Sequence, residues 1–189
     1  MTRTGKFYII NVNYVIYKNQ VKEKRAFKDA YRIMKKIGAF LLSLVMLLSV
    51  IVLPTNTTQA AEATPTVPYS VHAQSYGWVN PAQNGKTAGT TGKGKRLEAI
   101  AISLKQNGTS YAGGLRYQAH VQTYGWMNWV DADTNGASPR SLADKGQYAG
   151  TVGKSKRMEA IRMELTGELA NRYEVLYRVH MQTYGWSSW

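Results

Sequence analysis

Cysteine is absent from this 189-residue chain. That excludes a disulfide framework, a thiolate metal site and a cysteine nucleophile, so the fold must be held by core packing alone. Phenylalanine is scarce, with three residues against 13 tyrosines and 17 glycines. Abundant Gly and Tyr, with little Leu outside one segment, lean toward β structure with many turns. Acids are few as well, 11 Asp and Glu against 24 Lys and Arg. The excess is unevenly placed. Residues 1–60 carry ten basic and two acidic residues, a surplus of eight, whereas residues 61–189 carry fourteen and nine, a surplus of five. A surplus of five favours contact with anionic surfaces and is too small for a nucleic-acid-binding balance.

Long apolar runs are missing save one, Ile37 to Leu53, which carries no charge. Lys35 and Lys36 stand before it, Pro54 ends it, and Thr58-Gln59-Ala60 follows. Basic, apolar and small-residue segments in that order make an export signal, with cleavage expected after Ala60 and Ala63 as second choice. The run of 17 residues is short for a membrane span of about 20, so the membrane is met only through the signal segment before cleavage. Residues 34–60 are read as this signal and 61–68 as a linker. Residues 1–33 make an unusually long basic extension before it, and Met34-Lys35-Lys36 would be a normal start by itself.

Internal repetition organises the rest. His72-Ala73-Gln74-Ser75-Tyr76-Gly77-Trp78 recurs as His120-Val121-Gln122-Thr123-Tyr124-Gly125-Trp126 and again as His180-Met181-Gln182-Thr183-Tyr184-Gly185-Trp186. A second block, Ala88-Gly89-Thr90-Thr91-Gly92-Lys93-Gly94-Lys95-Arg96-Leu97-Glu98-Ala99-Ile100, recurs once, from Ala149 to Ile161. Units therefore start near 69, 117 and 177, and the third carries only its first block within these residues. The histidine step is 48 residues and then 60, the difference being an insertion of about a dozen residues between Trp129 and Gly146 of the length a surface loop tolerates. Apolar residues alternate from Glu98 to Leu104, from Glu159 to Leu165, and from Tyr117 to Tyr124 and Tyr177 to Tyr184, which predicts strands. Asn107-Gly108 is a turn signal. An all-β domain over 69–189 follows, closed with pseudo-threefold symmetry as a trefoil or prism or strung out as a linear array.

These two blocks resemble the clostridial hydrophobic, Trp-containing (ChW) repeat. That family's pattern is His-x-Gln-x-x-Gly-Trp, then Ala-Gly-Thr-x-Gly, then Lys-Arg-x-Glu-Ala-Ile. The resemblance covers about 69–189 and implies export to the surface or medium of a Gram-positive bacterium, with substrate binding or adhesion as the expected role. The departure from the pattern is the missing second half of unit three.

Several residues are candidates for chemistry. Trp78, Trp126 and Trp186, with His72, His120 and His180, recur in every unit and are expected to build the repeat core. Three imidazoles converging on a threefold axis would suit a metal, but one His per unit without supporting thiolates reads as a part-buried structural histidine. Gln74, Gln122 and Gln182 look like satisfied ladder residues. Trp129 and Trp189 follow strand ends and are expected to be exposed. With Tyr76, Tyr124 and Tyr184 they form the candidate ligand-binding set, because a flat ring offers apolar area to a sugar. Arg96 with Glu98 and Arg157 with Glu159 lie two apart on a strand and read as ion pairs. Nothing places Glu98 and Glu159 in one cleft, so no catalytic residue is assigned and no enzyme is expected. The basic loops Lys93–Arg96 and Lys154–Arg157 lack the phosphate-loop pattern. Asp131, Asp133 and Asn135, followed by Gly136, have the spacing of a calcium loop, although Leu142 stands at the twelfth position where a bidentate acid belongs. Calcium is the one candidate cofactor, and an acidic turn explains the same residues.

The leading expectation is an extracellular or cell-surface binding module that engages a cell-wall polymer or polysaccharide. The rivals are a protein–protein interaction array without glycan affinity, whose partner is an extracellular protein, and a fragment of a larger modular hydrolase.

Overall fold

The computed structural model describes residues 7–17, 64–108 and 110–189. The signal segment 34–60 lies outside the described residues. Twelve strands and two short helices are present among them. Unit one contains β2 (Tyr69–Ala73), β3 (Gly77–Trp78), β4 (Ala88–Gly89) and β5 (Leu97–Ile102). Unit two contains β6 (Leu115–Val121), β7 (Gly125–Trp126), β8 (Val130–Asp131), α1 (Pro139–Asp144), β9 (Ala149–Gly150) and β10 (Met158–Leu165). Helix α2 (Gly167–Arg172) leads into β11 (Tyr173–Met181) and β12 (Gly185–Trp186) of unit three. The remaining strand, β1, is Phe7–Tyr17. The all-β class expected from alternation and turn residues holds.

Each unit is built on one long antiparallel pair. In unit one β2 runs against β5, with Tyr69 opposite Ile102, His72 opposite Ala99 and Ala73 opposite Leu97. In unit two β6 runs against β10, with His120 opposite Ala160 and Val121 opposite Met158. Both registers slip by one residue there, so Glu98 and Glu159 each sit in a bulge. A bulge re-aims a side chain out of the ladder's alternation. The first block then folds back as a hairpin, His72 opposite Trp78, His120 opposite Trp126 and His180 opposite Trp186. Its tip needs two left-handed residues, Ser75 and Gly77 in unit one, and their counterparts Thr123 and Gly125, Thr183 and Gly185. Glycine fills the second of these because it has no Cβ to clash.

The short Ala-Gly strands link units. β9 of unit two lies on β5 of unit one, with Gly150 opposite Ala99 and Ala149 opposite Ile100. A Cβ on Gly150 would stand 2.4 Å from the Glu98 carbonyl oxygen and 2.6 Å from Ala99 Cα, so this position admits only glycine. β4 of unit one lies in the same way on β1, with Gly89 opposite Ile9 and Ala88 opposite Ile10. β1 in turn runs antiparallel to β11. The sheets are thus β3-β2-β5-β9, β7-β6-β10 with β8 also on β6, and β12-β11-β1-β4.

Within the basic extension 1–33, Phe7–Tyr17 is among the described residues and pairs with the repeat strands. Phe7–Tyr17 occupies in unit three the place that β5 and β10 hold in units one and two. Its register repeats theirs: Ile9 faces His180 and Phe7 faces Met181, with a slip between them. The expected linker 61–68 is also partly built in, since Thr66 bridges Lys105 and Val67 is buried.

The insertion in unit two is likewise no plain surface loop. It folds into β8 and α1, and Ala132, Leu142 and Ala143 are buried. The Leu104 amide donates to the Asp133 carbonyl at 2.8 Å, which fastens the insertion to unit one. Ser138 caps α1 by accepting from the Ser141 amide, with Pro139 at the first turn, both standard helix-start chemistry.

The core sits between the long pairs. Tyr69, Leu97, Ile100, Ile102, Leu115, Tyr117, Met158 and Leu169 are fully buried, and each aliphatic among them contributes about 1.5–3 kcal/mol relative to exposure. The tyrosines enter the core with their hydroxyls satisfied: Tyr69 donates to the Lys86 carbonyl, and the Tyr117 oxygen accepts from the Ile102 amide at 3.2 Å.

Candidate binding surface

Trp78, Trp126 and Trp186, expected in the core with the three histidines, are not there. Trp126 is 37% exposed, and Trp78, Trp186, His72, His120 and His180 are half-buried. The hairpin that carries each Trp is only two residues per arm and stands at a sheet edge. The indole therefore packs on the outer face of its own unit and leaves the interior to tyrosine and aliphatic side chains.

What the repeat builds instead is a small polar–aromatic cluster. Each imidazole meets its own indole edge-on, at centroid distances of 5.6, 5.4 and 5.3 Å and interplanar angles of 80°, 82° and 84°. Such T-shaped pairs add about 0.5–1.5 kcal/mol beyond burial. In unit one the Glu98 carboxylate reaches His72 Nδ1 at 3.0 Å and Arg96 Nη2 at 2.7 Å. In unit two Glu159 reaches His120 Nδ1 at 3.3 Å and Arg157 Nη2 at 2.7 Å. All three Nδ1 atoms lack an aligned hydrogen bond, so the imidazole–carboxylate contact is one of charge and proximity. The bulge at Glu98 and Glu159 is what turns the acid toward its imidazole. The expected Arg–Glu pairs are present, with a histidine as a third member. The two acids sit in separate units, and each is committed to its own cluster.

The exposed aromatic residues form a second feature. Trp129 is 38% exposed and Trp189 46%. Tyr76, Tyr124 and Tyr184, at the three hairpin tips, are more than half exposed. Four of the indoles carry a guanidinium against a ring face: Arg162 over Trp126 at 4.0 Å, Arg116 over Trp129 at 4.7 Å, and Arg178 over both Trp186 and Trp189 at 4.5 Å. Each contact contributes about 0.5–1 kcal/mol when exposed and fixes the ring's orientation. Trp78 is held instead by Tyr148, which directly precedes the second block of unit two, at 5.5 Å. Beside Trp189 lies a cleft of about 300 Å³ lined also by Val175, Tyr177, Ser187 and Ser188. That is the lower end of small-ligand volumes. Burial raises the Tyr177 pKa, a shift that nearby Arg162 partly offsets, so its hydroxyl stays protonated at neutral pH and donates to the Ile161 carbonyl.

Sequence reasoning missed Arg116, Arg162 and Arg178. They occupy non-equivalent positions in the units, so a comparison of repeats passes over them. The one available signal was their place on strands that flank the Gly-Trp segments.

The candidate calcium loop is not assembled. Asp133 accepts from the Asn135 amide at 3.0 Å and the Ala137 amide at 2.8 Å, which makes it the head of an acidic turn. Asp131 lies in β8, and Leu142 is buried in α1. Among the described residues no three His, Asp or Glu gather as a metal site. The three histidines face their own units.

A family model described as Clostridial hydrophobic W matches residues 72–106 and 120–167, two repeats. No curated protein and no solved structure matches the chain.

Proposed function

The chain belongs to the Clostridial hydrophobic W family, and on that premise we propose that it is an exported, non-enzymatic binding module acting at the cell surface or in the medium. Its ligand is a polysaccharide or cell-wall polymer. The observation that carries this reading is the set of indoles, Trp126, Trp129 and Trp189, each kept substantially exposed yet clamped by an arginine. A ring recruited only for stability is normally buried. A ring held rigid at the surface is preorganised to stack on a pyranose face, and preorganisation lowers the entropic cost of binding. The cleft beside Trp189, with Ser187 and Ser188 on its wall, offers hydroxyl partners next to the apolar platform. The surplus of five positive charges in residues 61–189 suits an anionic polymer.

The test is retention of the secreted product, its N-terminus identified by mass, on an array of glycans and wall fragments. Retention that falls at least tenfold in Trp189→Ala and Trp129→Ala supports the reading. Absence of retention on every glycan and wall fragment overturns it. Surface Trp, Tyr and Arg are also the residues enriched at protein interfaces, which favours an extracellular protein as the second reading. In that case the same substitutions change assembly and leave glycan retention untouched.

A further inference from the structure

The third unit differs from the other two at one chemical point. His72 and His120 each face a carboxylate, from Glu98 and Glu159, while His180 Nδ1 is buried and has no acid beside it among the described residues. The strand registers explain the gap. In the bulge that holds Glu98 between Leu97 and Ala99, and Glu159 between Met158 and Ala160, β1 places Tyr8, between Phe7 and Ile9. Phe7–Tyr17 contains no Asp or Glu at all. On this same strand β11, the Arg178 Nε atom is also buried without a hydrogen-bond partner. β1 therefore matches the backbone of the position, pairing with β11 on one side and β4 on the other, but not its chemistry.

We propose that the edge of β11 is a strand-acceptor site, and that its fitting occupant is an extended segment of Arg-x-Glu-Ala-Ile chemistry carried by another repeat-bearing polypeptide. Residues 7–17 are the chain's own stand-in. Within these 189 residues the second block occurs twice, and both copies are built into units one and two. The acceptor offers what strand addition requires: a long row of backbone donors and acceptors for affinity, and a buried imidazole that discriminates for an acid at one position. A carboxylate beside the imidazole, as in units one and two, favours the fitting strand over one without an acid there. Cleavage after Ala60, as the export signal implies, would remove residues 1–60 from the exported chain and leave the β11 edge open. The site itself does not depend on the glycan reading, and its test does not involve a glycan.

The experiment uses the full chain with a protease site introduced within residues 18–62. After cutting, a fluorescent peptide copying residues 153–166 is added. The peptide is expected to displace the N-terminal fragment and remain bound, and the same peptide with Glu159→Gln is expected to bind about tenfold more weakly. A fragment that is not displaced, or a Gln peptide that binds equally well, overturns the proposal.

Discussion

β5 and β10 carry the same Arg-x-Glu-Ala-Ile letters and differ in what covers them. Every residue of β5 is buried, whereas β10 is buried only at Met158 and Ile161. The motif is not the cause. β5 is sandwiched between β2 and β9 and bound by the insertion through Asp133, while among the described residues no Ala-Gly strand lies on β10. Alternation in the sequence predicts a one-faced strand, and β10 keeps that character. In β5 the edge is closed by β9 and the outer face is covered by α1 of the next unit, so the alternation disappears. The lesson is that a repeat's burial depends on the unit that follows it as much as on its own residues.

Core truncation should expose this difference most strongly. Ile100→Ala is expected to cost about 4 kcal/mol and the equivalent Ile161→Ala about 2 kcal/mol, because only the former leaves a fully enclosed cavity. Denaturant unfolding of the two variants checks it, and equal losses would break the comparison. Gly150→Ala comes next, at about 3 kcal/mol, since its Cβ meets the β5 backbone. Calorimetry should show the same loss at Gly89→Ala if β1 holds β4 as tightly as β5 holds β9.

Ion-pair removal should be smaller and again unequal. Glu98→Gln is expected to cost about 2 kcal/mol and Glu159→Gln about 1 kcal/mol, because the Glu159 cluster is the more exposed of the two. Smallest is Tyr117→Phe, about 1 kcal/mol for the lost bond from the Ile102 amide. It carries a pH signature. Burial pushes the Tyr117 phenol up to about 12 from an ordinary value of 10.0. The folded state then holds its proton where the unfolded state has released it. Its contribution is complete below pH 10 and is lost as pH rises from about 10 to about 12. Alkaline unfolding followed by circular dichroism should be less steep in Tyr117→Phe.

Much of the fold could be read from the letters. The repeated blocks announced the units, the alternation around His72, His120 and His180 announced strands, and the Arg–Glu spacing announced ion pairs. Local chemistry suffices for these, because side chains two apart on a strand share a face whatever lies beyond. Exposure of Trp129 and Trp189 was also legible, since each trails a closing Gly-Trp. The core role assigned to Trp78, Trp126 and Trp186 failed because repetition shows that a residue matters to its unit and not which side of the unit it faces. The arginines over the indoles were invisible, being unrepeated.

The sequence by itself determined the repeat, its β character, and the pairing of acid with base inside each second block. Only the tertiary structure decided which strand each Ala-Gly segment covers, that the insertion packs on unit one, and that residues 7–17 pair with β11. The physical reason is range. Alternation, turns and ion pairs within a strand are set by neighbours along the chain, whereas β1 and β11 meet across some 160 residues through backbone groups that every sequence carries alike.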